Sequence, residues 1–326
     1  MVLVQSCRKD KTVPQEPPIP GDTTEVDSGI ICEDFPVSPE IGFVYTSTGP
    51  QYKAPCFNPN NSNEFVFIRT GISGTELVKY DIIQGVESVL TSSASIITQP
   101  QWGSQGWIIF NVFGNTIWKI HESGSGLEQI VDFPSLRPCF DNTGGNFISM
   151  AGDANLTVGY RPIFDLSGNL VDSIYSGYDD RIIGYPYFTS HLKFSKGYFA
   201  FADHAYSDPI RIGVCHYEDS SIVEIGSWFY DKEMLDITAN SEFVYVSTYW
   251  RDLIKINLVS HTLETFKEGC QTKFYNHIDV SPDGTKMIAQ VVISTPYDND
   301  EAIDEQNEIW LIDLVSGEES VVLGEE

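Results

Sequence analysis

Apolar and polar residues alternate along most of this chain in short runs, and clusters of Gly, Asn, Asp and Ser separate the runs. Alternation with a period of two predicts β-strands, and the polar clusters between runs predict tight turns. Six segments share one plan: 53–70, 98–112, 137–151, 191–203, 235–248 and 278–291. In each, a short strand ends on an apolar anchor, a polar turn follows, and a second strand leaves the turn. The anchors are Phe57, Trp102, Phe140, Phe194, Ile237 and Val280, at intervals of 45, 38, 54, 43 and 43 residues. A second hairpin follows each, at 75–91, 115–132, 160–176, 210–227, 252–269 and 307–324. The unit is four antiparallel strands repeated six times, and no helical periodicity runs beyond two turns.

A lone four-stranded sheet of this kind exposes two apolar faces, so neighbours must stack on both sides. A closed ring leaves no end sheet uncovered. The expected fold class is therefore all-β: a six-bladed β-propeller of four-stranded antiparallel blades over residues 40–326. The apolar run 41–46 (IGFVYT) stands ahead of the first blade and is expected to complete or extend a blade.

The last repeat, SPDGTKMIAQ (281–290) followed by NEIWLIDLVSGE (307–318), resembles the repeat of the TolB-like six-bladed propellers, a WD-repeat-like family. Ser281-Pro282-Asp283-Gly284 makes the first turn in that pattern. Pro282 pre-sets φ, Asp283 accepts backbone hydrogen bonds and Gly284 takes the positive φ. Asn58-Pro59-Asn60-Asn61 is a looser copy, while the middle blades keep the strands and lose the motif. The resemblance implies the fold. It also implies a range of roles: periplasmic scaffolds, sugar- or peptide-binding modules, and gating domains beside peptidases.

Residues 1–39 read differently. Val4-Gln5-Ser6-Cys7 resembles the lipobox of bacterial lipoproteins, which implies Cys7 as the lipidated residue. Val4 stands where Leu is usual, and only Met1-Val2-Leu3-Val4 lead into the motif. That is far short of the apolar stretch of about 7–15 residues a signal peptide carries. Residues 8–39 are rich in Pro, Asp, Glu and Thr, a composition that buries too little apolar surface to offset ordering entropy and behaves as an extended spacer. The expected organisation is a lipobox-like start and flexible Pro-rich tether over 1–39, then the propeller. The expected location is the bacterial cell envelope, as a periplasmic or surface lipoprotein, or outside the cell.

Composition narrows the partners. The 326 residues are 41% hydrophobic and 13% aromatic, enough for a sizeable core. A net charge of −27 repels phosphate backbones and excludes nucleic acid as an expected partner. No run approaches the roughly 18 apolar residues of a membrane span, so membrane contact is expected only through an N-terminal lipid. Six cysteines without a C-x-x-C pair argue against zinc; they are expected to be mostly buried small residues, with room for one disulfide.

Catalytic signatures are lacking: the chain has no G-x-S-x-G elbow, no H-E-x-x-H and no P-loop. The expected function is a non-enzymatic ligand- or protein-binding scaffold, with a protein or glycan ligand and no cofactor. The alternative is a carbohydrate-active enzyme, a glycoside hydrolase or polysaccharide lyase, whose site is assembled from several blades at the central channel. Three residues before the anchors stand Ala54, Gln99, Arg137, His191, Met234 and His277. Gln99, Arg137, His191 and His277 can hydrogen-bond, and a ring of them could take an anionic or polyhydroxyl ligand. The loops between the second and third strands add His204, Tyr206, Trp250 and Arg251 on the same face, aromatic and polar groups suited to sugar or peptide recognition. The insertion TPYDNDEAIDEQNE (295–308) is oxygen-rich, as Ca²⁺ sites are, but Ala302 falls where a ligand belongs. It is expected to be a solvated acidic loop.

Overall fold

The computed structural model describes residues 44–324, apart from positions 48, 96, 113–115, 133–134, 142, 152–159, 176–191, 196–197, 204–209, 217–221, 230–233, 241, 249–251, 271 and 297–301. The tether, its lipobox and Cys7 lie outside the described residues. So do His191, His204, Tyr206, Trp250 and Arg251.

Among the described residues every regular element is a strand. After β1 (Val44–Thr46), the first sheet comprises β2 (Gln51–Asn58), β3 (Asn61–Gly71), β4 (Gly74–Asp81) and β5 (Val86–Ser93). The second holds β6 (Ile97–Trp102), β7 (Trp107–Val112), β8 (Thr116–His121) and β9 (Glu128–Val131). The third is β10 (Ser135–Phe140), β11 (Asn146–Ala151), β12 (Tyr160–Asp165) and β13 (Leu170–Tyr175). The fourth is β14 (Leu192–Ser195), β15 (Tyr198–Asp203), β16 (Ile210–His216) and β17 (Ile222–Phe229). The fifth is β18 (Met234–Ala239), β19 (Phe243–Thr248), β20 (Leu253–Asn257) and β21 (Leu263–Lys267).

These five sheets are four-stranded antiparallel blades. The last sheet departs from the plan. β22 (Lys273–Val280), β23 (Lys286–Pro296), β24 (Ala302–Asp313) and β25 (Glu319–Leu323) are joined by β1, so it has five strands. β1 pairs parallel with β24, Val44 opposite Ala302 and Thr46 opposite Asp304, while β25 takes the same strand further along. The expectation of six equal four-stranded blades is thereby corrected. Five sheets have that form, and the run ahead of the first blade extends the last one.

Both faces of the first and second blades are covered, as the repeat requires. On the first sheet Phe57, Phe65, Phe67 and Val78 pack against Ile288 and Ile309 of the last. Its other face sets Cys56, Val66, Ile68 and Leu77 against Ile97, Trp102, Ile108 and Phe110 of the second. The next seam joins Ile109, Ile117 and Val131 to Phe140, Phe147 and Phe164. Each such side chain contributes roughly 1.5–3 kcal/mol by leaving water. Double coverage explains why four consecutive residues of β3, Phe65 to Ile68, are buried, whereas Val86 to Val89 on the outermost strand β5 are exposed.

The first strands of the sheets neighbour one another, β2 with β6, β6 with β10, β10 with β14, β14 with β18, β18 with β22 and β22 with β2, so these strands line the centre. Among the anchors, Phe57, Trp102, Phe140 and Ile237 are buried. Val280 is only half-buried, and Ile278 takes the buried place instead. The reason is register: β22 makes three ladder pairs between its irregularity and its turn, where β6 and β10 make two, so Val280 is carried outward.

The acidic insertion is another correction. Most of it is hairpin: β23 and β24 pair without interruption out to Pro296 opposite Ile303, which puts Asp304, Glu305 and Glu308 in strand. The ladder extends through residues 294–296 and 302–308 by backbone pairing, although the sequence there is polar. The cysteines divide. Cys56 and Cys139 are buried thiols, and Cys270 is disulfide-bonded to a cysteine whose side chain is outside those described.

Candidate functional site

A shared irregularity marks five of the six lining strands, and β14 pairs with β15 without one. The ladder between first and second strands is interrupted between Lys53 and Cys56, Thr98 and Gln101, Leu136 and Cys139, Met234 and Asp236, and Tyr275 and Ile278. These are β-bulges, which bend a strand and re-aim its side chains. In the first three sheets the bulged pairs are Ala54-Pro55, Gln99-Pro100 and Arg137-Pro138. Proline has no N–H to give a ladder, so it belongs where the ladder is broken. In the last sheet the pair is Asn276-His277, opposite Gln290.

Gln99 and Arg137 thus take the first place of their bulges and His277 the second, so Asn276 matches Gln99 and Arg137, and His277 stands where Pro100 and Pro138 do. The side chains of Gln99 and Arg137 lie outside those described; His277 is described, and its bulge is held from three sides. Buried Asp236 of β18 accepts the Ile278 N–H on Oδ2 at 3.0 Å and the Ile237 N–H on Oδ1 at 2.9 Å. The same Oδ2 lies 3.5 Å from His277 Nδ1. Ser247 of β19 donates its hydroxyl to the Asn276 carbonyl at 2.7 Å. His277 keeps 27% of its side chain exposed, so it is both anchored and reachable.

The neighbouring seam, between last and first sheets, carries polar ties beside its apolar side chains. Ala54 sits at φ 49°, strained for a residue with a Cβ, and its N–H donates to Gln290 Oε1 at 3.0 Å. Gln290 donates to Asn307 Oδ1, and the Asn307 N–H donates to Gln51 Oε1 at 3.0 Å. Asp279 Oδ2 accepts the Phe57 N–H at 2.8 Å. Asp236 and Asp279 therefore do the same work one blade apart, each tying its lining strand to the next.

The opposite face is knitted by turns. Asn60 donates to the Ser104 carbonyl at 2.7 Å, and the Ser104 hydroxyl donates to the Thr143 carbonyl at 2.9 Å. Asp283 of the SPDG turn accepts the Thr285 N–H at 3.0 Å, with Gly284 at φ 76°. Burial alone would raise the Asp283 pKa, but hydrogen bonds from Ser281, Thr285 and Ser62 outweigh it and hold the carboxyl far below its usual range.

Asp236, Ser247, Gln290 and Gln51 were not singled out by sequence reasoning. Two signals could have found part of the set. One is the proline two residues before Phe57, Trp102 and Phe140; the other is the matching Leu235-Asp236-Ile237 and Ile278-Asp279-Val280. Of the acidic hairpin, Glu308 accepts from Trp310 Nε1 at 2.7 Å, and Asp298, Asp300 and Glu301 lie outside the described residues. Among the described residues no group of three His, Cys, Asp or Glu side chains could hold a metal ion.

No family model matches the chain, and no curated protein does. Solved structures do resemble it. A putative TolB from Agrobacterium tumefaciens is 10% identical, with 78% of this chain and 91% of that one aligned at a TM-score of 0.57. A structure of the nidogen/laminin complex is 10% identical over 78% of this chain and 90% of that one, at 0.55. A puromycin hydrolase mutant complexed with PGG is 10% identical over 86% of this chain, at 0.53, and the chain spans 54% of that protein. The likeness is one of fold: this chain is an all-β propeller of four-stranded antiparallel blades, similar to the TolB propellers.

Proposed function

We propose that this chain is a non-enzymatic, six-bladed binding propeller of the bacterial envelope, secreted or held by a lipid on Cys7. It takes a glycan or protein ligand on the face where the lining strands begin. The observation that carries this reading is the bulge at Asn276-His277, which presents an anchored, part-exposed imidazole on a lining strand. Support comes from the opposite face, where turn-to-turn hydrogen bonds join successive blades. The disulfide at Cys270 suits an oxidising compartment.

The test is a glycan and peptide binding screen on the full chain, followed by titration of the best ligand against His277→Ala. Loss of a direct hydrogen bond should weaken binding about tenfold. Unchanged affinity, or turnover of the ligand that the substitution abolishes, would overturn the reading. One observation favours the carbohydrate-active alternative: a carboxylate behind an imidazole, as Asp236 stands behind His277, is how general bases are oriented. Product formation from the bound glycan would decide for it.

A further inference from the structure

Resting on that reading, we infer that His277 presents a hydrogen-bond acceptor to the ligand, and that the site therefore selects uncharged polyhydroxyl ligands over anions. The argument begins at Asp236. Its carboxylate is buried and fixed by two backbone N–H groups, so it cannot turn away from the ring beside it. His277 Nδ1 faces Oδ2 at 3.5 Å. In a neutral imidazole one nitrogen carries the proton and the other a lone pair. A lone pair on Nδ1 would face the carboxylate charge, whereas an N–H there is attracted to it. The proton of the neutral ring therefore sits on Nδ1, the arrangement by which carboxylates fix histidine tautomers elsewhere. Nε2, on the other side of the ring, is left as an acceptor.

A ligand meeting Nε2 must bring a donor. Sugar hydroxyls do; ionised carboxylates and phosphodiesters have none to give. The surrounding charge acts in the same direction. Asp279, two residues along the strand, is held by the Phe57 N–H at 2.8 Å, so the imidazole faces one carboxylate and a second follows it on the same strand. They sit on a chain of net charge −27. An anion entering here pays both penalties, while a neutral polyol pays neither.

Two measurements test this. Two-bond proton–nitrogen correlation spectra of the full chain, labelled in its histidines and recorded at pH 8, report each tautomer; His277→Gln assigns the signal. The expected spectrum of the unsubstituted protein shows a protonated Nδ1 and a bare Nε2 for the signal that His277→Gln removes. A protonated Nε2 at that pH overturns the inference. The second measurement compares a neutral oligosaccharide with the uronate of the same backbone by calorimetry. The neutral form should bind at least tenfold more tightly, and His277→Gln should remove that preference. Tighter binding of the uronate overturns the ligand class. A protonated Nε2 with binding still lost in His277→Gln sinks the tautomer argument alone. A protonated Nδ1 with binding untouched by the substitution sinks the proposed site and the ligand class together.

Discussion

Glu319 on β25 joins two blades through single atoms. Lys273 Nζ lies 2.5 Å from Oε2, Lys267 Nζ of the fifth sheet lies 3.7 Å from Oε1, and the buried Tyr275 hydroxyl donates to Oε1. The Lys273 ammonium also stands 4.1 Å from the Trp310 ring centroid. Burial alone would raise the Glu319 pKa, but hydrogen bonds from Lys273 and Tyr275 and the two ammonium charges outweigh it and lower it. A carboxyl whose folded-state pKa is lowered stabilises the fold above its ordinary value of 4.5, and that stability fades as pH falls through the folded-state pKa. Glu319→Gln should cost about 2–4 kcal/mol in denaturant unfolding at pH 7, since it strands Lys273 in a largely buried place. The variant should also lose less of its remaining stability than the parent between neutral and acid pH. An equal acid slope in both would refute the role given to Glu319. At the other extreme, burial pushes the Tyr245 phenol up to about 12, so its folded form keeps a proton that the unfolded chain gives up near 10. Ultraviolet titration should then show stability falling as pH rises above 10. Little of this was readable beforehand. Alternation told which positions are buried, but Glu319 and Lys273 meet across 46 residues, and pairing at that range follows from ring geometry rather than local pattern.

Turns show best how local chemistry and tight packing divide the work at the scale of elements. Three hairpins between third and fourth strands reuse one device. Asp81, Asn257 and Asp313 each accept two backbone N–H groups of their own turn. Gly85, His261 and Gly317 then supply positive φ. Gly85 has only the Tyr80 hydroxyl near a Cβ position, at 3.8 Å, so Gly85→Ala should cost only the left-handed penalty of about 1–2 kcal/mol. Gly168 ends the matching turn of the third sheet, and a Cβ there would fall 1.8 Å from the Ile130 carbonyl oxygen of the second sheet. Gly168→Ala must therefore move one blade against another and should cost clearly more than Gly85→Ala. Denaturation of the two variants side by side checks the order, and equal losses would contradict it. Strand and turn positions were legible throughout, because period-two alternation and Asx turns are local. The bulges were not. They need a partner strand to be defined, although Pro55, Pro100 and Pro138 marked three of them. Nor was the length of β23 and β24, whose polar outer ends resemble loop composition while keeping strand register.

For the molecule as a whole, the ring is closed by few, well-placed polar contacts over an apolar seam. Asp279 reaches the Phe57 N–H across 222 residues, and Gln290 reaches Ala54 across 236. Hydrogen bonds to a charged acceptor contribute about 1.5–3 kcal/mol each. Asp279→Ala should lower global stability by that amount and raise the exchange rate of the Phe57 amide about tenfold or more. Protection of Phe57 unchanged in the variant would show that the seam is held by its apolar side chains alone. The overall architecture was the most legible level, since anchors recurring every 38 to 54 residues leave few alternatives to stacked blades. What the repeat concealed was asymmetry. Among the described residues the last sheet alone borrows a strand, and the carboxylate ties described at 236 and 279 sit on consecutive blades next to that loan.

The direction of the borrowed strand has a practical consequence. β1 runs parallel to β24, and β24 starts at the tip of the long hairpin, on the face where the lining strands begin. Anything attached at Val44 itself is therefore delivered to the rim of the mouth being assayed. A sensor chip, fluorophore or affinity handle attached there would crowd incoming ligand and depress apparent affinity. The same label at Val315, 89% exposed on a turn at the far side, would leave the mouth clear. Comparing the two placements separates an obstructed propeller from an inactive one.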